Sequence, residues 1–183
     1  MRNQNKKWKI KEKKYVYKSD WISMRQDHIV LPDGSEIPEH HVVEFPKKAV
    51  VVLLTDSEKR ALLIQNYRFI VDFSGWELPA GRMESENSIL EAKRELLEET
   101  GFGAKNWKHL LNYYSSSGST NQEFEVVQAD SPTKINQNFD TNEVNSMQWF
   151  SAKEILQKIE DGAIKDVQTI CAVSYAICKQ LLK

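Results

Sequence analysis

Three glutamates stand close together in this sequence, and their spacing could bring their carboxylates to one metal ion. Glu95 precedes Glu98 by three residues and Glu99 by four, and side chains so spaced lie on one side of a helix. Like charges held together repel, so a positive partner is needed. Carboxylate oxygens suit Mg²⁺, Mn²⁺ or Ca²⁺, whereas zinc prefers nitrogen and sulfur ligands. The alternative is a solvated acidic helix paired locally with Lys93 and Arg94.

The residues on either side of the glutamates predict the helix that would hold them. Ser88 followed by Glu91 has the form of a capping box, and Gly101 stands where a helix commonly ends. We therefore expect a helix over residues 89–100. Its apolar stripe consists of Ile89, Ala92 and Leu96. The three glutamates occupy another face of the same helix.

The segment over residues 77–102, ELPAGRMESENSILEAKRELLEETGF, resembles the Nudix box. The family pattern is a glycine, five residues, a glutamate, seven residues, and then Arg-Glu-apolar-any-Glu-Glu-any-Gly-apolar. Residues 94–102, RELLEETGF, match its second half at every specified position. The first half is one residue short, because four residues separate Gly81 from Glu86. The missing residue lies before the helix, so the spacing of the three glutamates is unaffected.

The resemblance implies a role for each residue of the box. The three glutamates of the helix, with the main-chain carbonyl of Ala80 in a tight turn over residues 78–81, would hold Mg²⁺, with Mn²⁺ as the alternative cation. Glu98 is in addition assigned to catalysis. In the family the first glutamate of the box mainly braces the arginine, so we expect Glu86 to pair with Arg94 and only secondarily to contact metal. The structural positions of the box are then Gly81, Glu86 and Arg94.

Three residues outside the box are candidates for contact with a substrate. Arg68, in the run QNYRF, resembles an arginine that meets the substrate diphosphate in the ADP-ribose pyrophosphatase branch of the family, and guanidinium geometry suits phosphate oxygens. Gly118, in the run SSSGST, resembles a loop that borders the substrate in that branch. Trp21 could stack on a nucleobase. The alternatives are a surface salt bridge for Arg68 and an ordinary turn for Gly118.

A general base is expected in a polar segment of the second half of the chain. Residues 131–146 show no apolar period and predict a long loop, a place where mobile catalytic groups are often carried. In the resembled branch the base is commonly a glutamate in that loop. Glu143 is therefore the candidate, with Asp140 second. An exposed loop residue without a function is the alternative.

Apolar alternation and turn residues predict the remaining elements. Strands are expected over residues 28–31, 42–55 with a break at Pro46, 61–65, 108–114, 124–129 and 147–150. Helices are expected over residues 151–160, beginning with a capping box of Ser151 and Glu154, and over residues 166–182. The resemblance implies an α+β fold, the α/β/α Nudix sandwich, with a mixed central sheet between helices and a small N-terminal antiparallel sheet.

The first part of the chain is basic. Residues 1–18 carry eight Lys or Arg side chains against one acid, and their alternation predicts an edge strand with a solvated basic face, a nucleic-acid arm being the alternative. We divide the chain into an N-terminal β-sheet region, residues 1–45, and a Nudix hydrolase domain, residues 46–183. In the resembled branch the N-terminal sheet is exchanged between subunits, which implies a homodimer in which this region serves dimerisation and contact with the base.

Composition excludes several other classes of protein. The formal net charge of −1 supplies no overall field that would attract nucleic acid or an anionic membrane. No apolar run approaches the roughly eighteen residues of a membrane span, and no apolar segment follows the basic start, so we expect a cytoplasmic protein without a signal peptide. Cys171 and Cys178 would lie about 10 Å apart along a helix, too far for a disulfide, and are expected to be reduced.

The resemblance implies Mg²⁺-dependent hydrolysis of the diphosphate bond in a nucleoside diphosphate linked to a second moiety. ADP-ribose, split into AMP and ribose 5-phosphate, is the expected substrate. Another nucleotide sugar, of the GDP-mannose or UDP-glucose type, is the alternative among enzymes. A module that senses a nucleotide without cleaving it is the alternative from another class. The shortened box favours the sensor, whereas the retention of all three glutamates favours the enzyme.

Overall fold

The computed structural model describes residues 7–136 and 144–183, and the chain divides into two compact units. The first unit comprises the described residues up to Lys47 together with residues 114–122, and the second comprises residues 48–113 and the described residues from 123 onward. Along the chain the elements are β1 (Lys9–Lys18), β2 (Ser23–Val30), β3 (Glu36–Glu44), β4 (Ala49–Leu54), β5 (Ala61–Arg68), β6 (Phe73–Glu77), β7 (Ala80–Arg82), α1 (Ser88–Thr100), β8 (Phe102–Tyr114), β9 (Glu123–Lys134), β10 (Ser146–Phe150), α2 (Ala152–Glu160) and α3 (Val167–Cys178).

The first unit is built on a three-stranded antiparallel sheet of order β1-β2-β3. β1 lies at the edge of this sheet, and every one of its residues is exposed, as predicted for a lysine-rich edge strand. Residues 114–122 join the unit through a bridge between Val43 and Thr120 and through Asn121, whose side chain bonds the main chain of Phe45. The predicted N-terminal antiparallel sheet is therefore confirmed.

β4 is the centre of the second unit. It pairs in parallel with β9 and antiparallel with β7, within a mixed sheet of order β7-β4-β9-β8. All six residues of β4 are buried. Its sequence AVVVLL is a continuous apolar run because a strand covered on both faces has no polar side to alternate with an apolar one.

Helices cover both faces of this strand. Val51 belongs to an apolar cluster that contains Ile155 of α2 and Val173 of α3. Val52, the next residue, belongs to a second cluster that contains Leu96 of α1. Successive side chains of a strand point to opposite faces, so the mixed sheet lies between α1 on one side and α2 with α3 on the other. The predicted α+β sandwich is therefore confirmed.

A second, antiparallel sheet in the same unit has the order β10-β5-β6. Arg68 is the last residue of β5 and lies opposite Phe73, the first residue of β6. β6 ends at Glu77, directly before the segment that contains β7. The main-chain nitrogen of Trp76 donates to the carbonyl of Ala163, at 3.0 Å, which ties β6 to the link between α2 and α3.

α1 has nearly the predicted length but begins differently. Gly101 ends it with a left-handed φ of 69°, as is common at a helix C-terminus. The predicted capping box of Ser88 and Glu91 is wrong, because the N-cap is Asn87, whose side-chain oxygen accepts a hydrogen bond from the first turn. Asn caps a helix as well as Ser does. The side chain of Glu91 turns to Ser85 instead.

Other elements differ from the prediction in extent. β8 begins at Phe102 and β9 continues to Lys134, so the loop predicted over residues 131–146 is wrong in its first part. α3 ends at Cys178 and not at Leu182. These ends are decided by pairing and packing with residues distant in sequence, which a local pattern does not contain.

The capping box predicted for α2 is confirmed. Ser151 and Glu154 form the capping box that begins α2. Cys171 and Cys178 are free thiols. None of the described helices is both long and apolar enough to cross a membrane.

Candidate active site

α1 packs against β4 and β7, and this contact orients two of the three glutamates. Ala92 and Leu96, on the side of α1 that faces the sheet, are completely buried. Glu95 and Glu99 lie one turn apart and are only 8% and 6% exposed. Residues four apart share a helix face, so the packing of α1 buries both carboxylates together.

The carboxylate of Glu99 is bound to the main chain of β7. Its Oε2 accepts a hydrogen bond from the main-chain nitrogen of Ala80 at 3.0 Å. β4 holds β7 in register, with Ala80 opposite Val51. The tight turn predicted over residues 78–81 therefore runs into a short strand, and this strand aligns Ala80 with α1.

The carboxylate of Glu95 lies against the α-carbon of Gly81. A Cβ at position 81 would stand 2.1 Å from Oε1 of Glu95 and 2.2 Å from its Cδ, so a glycine is needed for this close approach. Burial raises the pKa of Glu95, while Arg94 opposes that rise and neighbouring carboxylates add to it. A partly desolvated carboxylate among other acids is an arrangement that a cation stabilises.

Arg94 lies between two of the glutamates. It donates hydrogen bonds from Nη1 to Oε2 of Glu98, at 2.8 Å, and from Nη2 to Oε1 of Glu95. Burial would lower the pKa of Arg94, but the charge of Glu95 and the hydrogen bonds that Arg94 donates to neighbouring carboxylates raise it. The guanidinium is therefore a permanent positive charge beside the acidic face of α1.

The structure brings two of the three predicted metal ligands together. Glu95 and Glu99 are buried against β7, whereas the side chain of Glu98 is 56% exposed and turns to Arg94. Among the described residues, no three His, Cys, Asp or Glu side chains are arranged to hold one metal ion. The predicted convergence of all three carboxylates is thus not the arrangement found. The predicted ligand atoms, the glutamate carboxylates and the carbonyl of Ala80, are all oxygens. Their chemistry therefore fits a hard divalent cation.

The partner that braces Arg94 differs from the predicted one. Glu86 is exposed, and the guanidinium bonds Glu91, whose Oε2 accepts from Nε at 3.2 Å and from Nη2 at 3.1 Å. Glu91 lies three residues before Arg94, so both project from one side of α1. The predicted pairing of Glu86 with Arg94 is therefore corrected to a pairing with Glu91.

Arg68 is held by Glu77 of β6. Its Nε donates to both carboxylate oxygens of Glu77, at 3.1 and 3.0 Å, and its Nη2 donates to one of them. Glu77 is 6% exposed, whereas the side chain of Arg68 is 53% exposed. The bonds to Glu77 raise the pKa of Arg68, and the charge of Glu99 is among the further causes. The negative charge of Glu77, and to a smaller extent that of Glu99, therefore stabilises the Arg68 guanidinium.

The N-terminus of α3 supports the segment at Leu78, just before β7. The sequence did not predict this contact. The main-chain nitrogen of Leu78 donates to Oγ1 of buried Thr169 at 2.8 Å. That hydroxyl donates to Oδ2 of Asp166 at 2.7 Å, and Asp166 also caps α3. The spacing Asp-x-x-Thr before an apolar helix is a capping pattern that indicates where α3 begins, but it does not indicate the contact with Leu78.

Comparison with known proteins agrees with this geometry. Residues 45–172 match the NUDIX domain family. The chain belongs to the Nudix hydrolases. Residues 8–43 match the nucleoside diphosphate sugar hydrolase N-terminal domain.

Two curated relatives of this Nudix hydrolase cover most of its length. It is 29% identical, over 157 residues, to a CMP-5'-(N-acetyl-N-hydroxy-3-aminopropyl)phosphonate hydrolase of Streptomyces rubellomurinus, with 85% of this chain and 75% of that protein covered. It is 25% identical, over 174 residues, to an ADP-ribose pyrophosphatase of Bacillus subtilis, with 93% of each covered. A crystal structure of an ADP compounds hydrolase has the same fold, with a TM-score of 0.83 at 17% identity over 96% of this chain and 94% of that one.

The remaining predicted site residues of the Nudix hydrolase stay predictions. Trp21 and Gly118 belong to the first unit. Trp21 is 67% exposed, and a Cβ on Gly118 would meet no atom within 4 Å, so local packing does not require a glycine there. Glu143 and Asp140 lie outside the described residues.

Proposed function

We propose that this Nudix hydrolase cleaves the diphosphate bond of a nucleoside diphosphate linked to a second moiety, with ADP-ribose, giving AMP and ribose 5-phosphate, as its preferred substrate. The observation that carries the proposal is the burial of Glu95 and Glu99 against Gly81 and Ala80. Two buried carboxylates one helical turn apart favour positive charge beside them, here that of Arg94 and, in our proposal, that of a divalent cation. The match to an ADP-ribose pyrophosphatase over 93% of both chains supports the substrate.

Mg²⁺ is the proposed cofactor, with Mn²⁺ as a substitute. The proposed ligands are the carboxylates of Glu95, Glu98 and Glu99 and the main-chain carbonyl of Ala80, since hard divalent ions take oxygen ligands. When bound, the ion neutralises charge on the diphosphate and lowers the pKa of a bound water. Arg94 bonds Glu95 and Glu98, so cation binding competes with these two hydrogen bonds.

The other residues act on the substrate and on protons. The acidic face of α1 repels a diphosphate, and Arg68 offsets charge on the phosphate that does not react. Glu143 takes the proton of the attacking water, with Asp140 as the second candidate. Trp21 stacks on the nucleobase, and the loop at Gly118 borders the substrate.

A cytoplasmic homodimer formed through the N-terminal sheet is part of the proposal. β1 exposes apolar and aromatic side chains, with Val16 62% and Tyr17 54% exposed, and exposed apolar patches commonly mark interfaces. The N-terminal region, residues 1–45, would serve dimerisation and contact with the base, and residues 46–183 would serve hydrolysis. Neither nucleic acid nor a membrane is a proposed partner.

A panel of nucleotide substrates tests the proposed reaction. The panel contains ADP-ribose, GDP-mannose, UDP-glucose and a CMP-linked phosphonate, each assayed with Mg²⁺ and with Mn²⁺. We expect the highest kcat/KM with ADP-ribose, and AMP as the released nucleotide. A higher kcat/KM with another member of the panel would replace ADP-ribose as the proposed substrate, and the proposed type of reaction would stand. Nucleotide binding without turnover of any member would replace the enzyme by a sensing module.

Arg68→Lys is expected to raise KM for the diphosphate substrate about tenfold with a smaller change in kcat. Lysine keeps the positive charge but lacks the planar fork that bonds Glu77 and a phosphate together. Steady-state kinetics at saturating Mg²⁺ measure the effect. Arg60→Lys is the matched control, because Arg60 forms an ion pair with Asp56 in the same unit. An unchanged KM in Arg68→Lys would remove the proposed phosphate contact.

A further inference from the structure

Glu91 is a buried carboxylate with hydrogen bonds to both of its oxygens. It is 4% exposed. Its Oε1 accepts bonds from the main-chain nitrogen of Ser85, at 3.0 Å, and from the Ser85 hydroxyl, at 2.7 Å. Its Oε2 accepts two bonds from Arg94. Glu91 therefore connects the segment before α1 to the guanidinium of the box.

Arg94 in turn connects Glu91 to the metal site. Besides Glu91, the guanidinium bonds the carboxylates of Glu95 and Glu98 and the main-chain carbonyl of Arg82, the last at 3.1 Å. One positive charge is thus shared among three carboxylates. The share taken by Glu91 affects how tightly Arg94 holds the two carboxylates that a cation needs.

The shortened segment before α1 explains why a different glutamate fills this place. In the family pattern five residues separate the box glycine from the glutamate that braces the arginine, but in this chain only four residues separate Gly81 from Glu86, and Glu86 is exposed. Glu91 reaches Arg94 from within α1, where the helix itself sets the separation of the two side chains. Ser85 then anchors the short segment to the opposite oxygen of Glu91.

We propose that Glu91 is a positioning residue of the metal site and takes the place that the family pattern gives to the glutamate corresponding to Glu86. By binding Arg94, it weakens the hold of Arg94 on Glu95 and Glu98 and so leaves these carboxylates available to a divalent cation. The inference deepens the proposed function and rests on the metal site in it.

Glu91→Gln removes the negative charge of this side chain and keeps its size and shape. The amide oxygen of Gln can still accept the hydrogen bonds of Ser85, so the segment before α1 stays anchored. The amide cannot offset the charge of Arg94, and the guanidinium then binds Glu95 and Glu98 more tightly. A divalent cation must compete with stronger bonds, so its affinity falls.

Calorimetric titration of the full chain with Mn²⁺, without substrate, tests this inference. Loss of a group that supports metal ligands commonly lowers affinity about 10- to 100-fold. We expect about tenfold weaker Mn²⁺ binding for Glu91→Gln and less than a twofold change for the control Glu86→Gln. An unchanged affinity in Glu91→Gln, or an equal loss in both variants, would overturn the inference.

Two further measurements keep the test decisive. If Glu91→Gln does not fold, Ser85→Ala removes the hydroxyl bond to Glu91. We expect a loss of roughly threefold in Mn²⁺ affinity, less than the 10- to 100-fold for losing a whole supporting group, because Glu91 keeps its other bonds. An unchanged affinity would overturn the inference. In kinetics with nucleotide, Glu91→Gln should raise the half-saturating Mg²⁺ concentration and leave KM at saturating Mg²⁺ within twofold. A chain that shows the Mn²⁺ pattern but cleaves no nucleotide would refute the proposed function and leave the role of Glu91 intact.

Discussion

Glu99→Gln is expected to lower kcat/KM for the nucleotide substrate by about 10³-fold while the protein stays folded. The amide oxygen of Gln can still accept the hydrogen bond from the main-chain nitrogen of Ala80, so α1 and β7 keep their contact. A neutral amide is a much weaker ligand for a hard divalent cation than a carboxylate. The loss corresponds to about 4 kcal/mol of transition-state stabilisation, the scale of one charged ligand at a catalytic metal.

The measurement is kcat/KM at saturating Mg²⁺, together with thermal unfolding of the same preparation. Glu160→Gln is the matched control, since Glu160 is an exposed glutamate at the end of α2 in the same unit. It should keep the activity of the unsubstituted protein. More than a tenth of normal activity in Glu99→Gln would contradict a role for this carboxylate in holding the cation.

Gly81→Ala is expected to lower kcat/KM by roughly 10²-fold at a small cost in stability. The new Cβ would stand 2.1 Å from Oε1 of Glu95, so that carboxylate must leave its position. The displaced atoms are the end of a flexible side chain and not backbone, so the free energy of unfolding should fall by no more than about 2 kcal/mol, within the range for overpacking. The activity loss reflects a misplaced ligand, because displacement by about 1 Å can cost 10²-fold in rate.

A double-mutant cycle shows whether Gly81 acts through Glu95. Gly81→Ala, Glu95→Gln and the double variant are compared in kcat/KM and in urea unfolding. Residues that act as one unit are strongly non-additive, so the second substitution should lower activity little further. Additive losses of activity would show that the methyl group disturbs something other than Glu95.

The shortened Nudix box predicted some features of the site correctly and others not. The box correctly indicated the helix that carries Glu95, Glu98 and Glu99. It predicted that all three carboxylates converge, whereas only Glu95 and Glu99 are buried. The same motif assigned the brace of Arg94 to Glu86, and the chain uses Glu91. The position of Glu91, three residues before Arg94 on a predicted helix, was a usable sign of this contact.

Contacts between distant segments left no comparable sign in the sequence. Arg68 was identified by resemblance, but its bond to Glu77 depends on the turn between β5 and β6 and on the register of the two strands. The support of Leu78 by Thr169 joins residues 91 positions apart. No local pattern contains such a pair, because it exists only after the helix and the strand have packed.

The sequence by itself determined the elements whose formation is local. The apolar run of β4, the helix over α1 with Gly101 after it, and the capping box of α2 follow from periodicity and end residues within one or two turns. Only the tertiary structure decided that Glu95 rests on Gly81 and Glu99 on Ala80, while Glu98 faces solvent. The apolar stripe of α1 indicates which side of the helix enters the core, but periodicity does not show that the carboxylates beside the stripe will lie against β7.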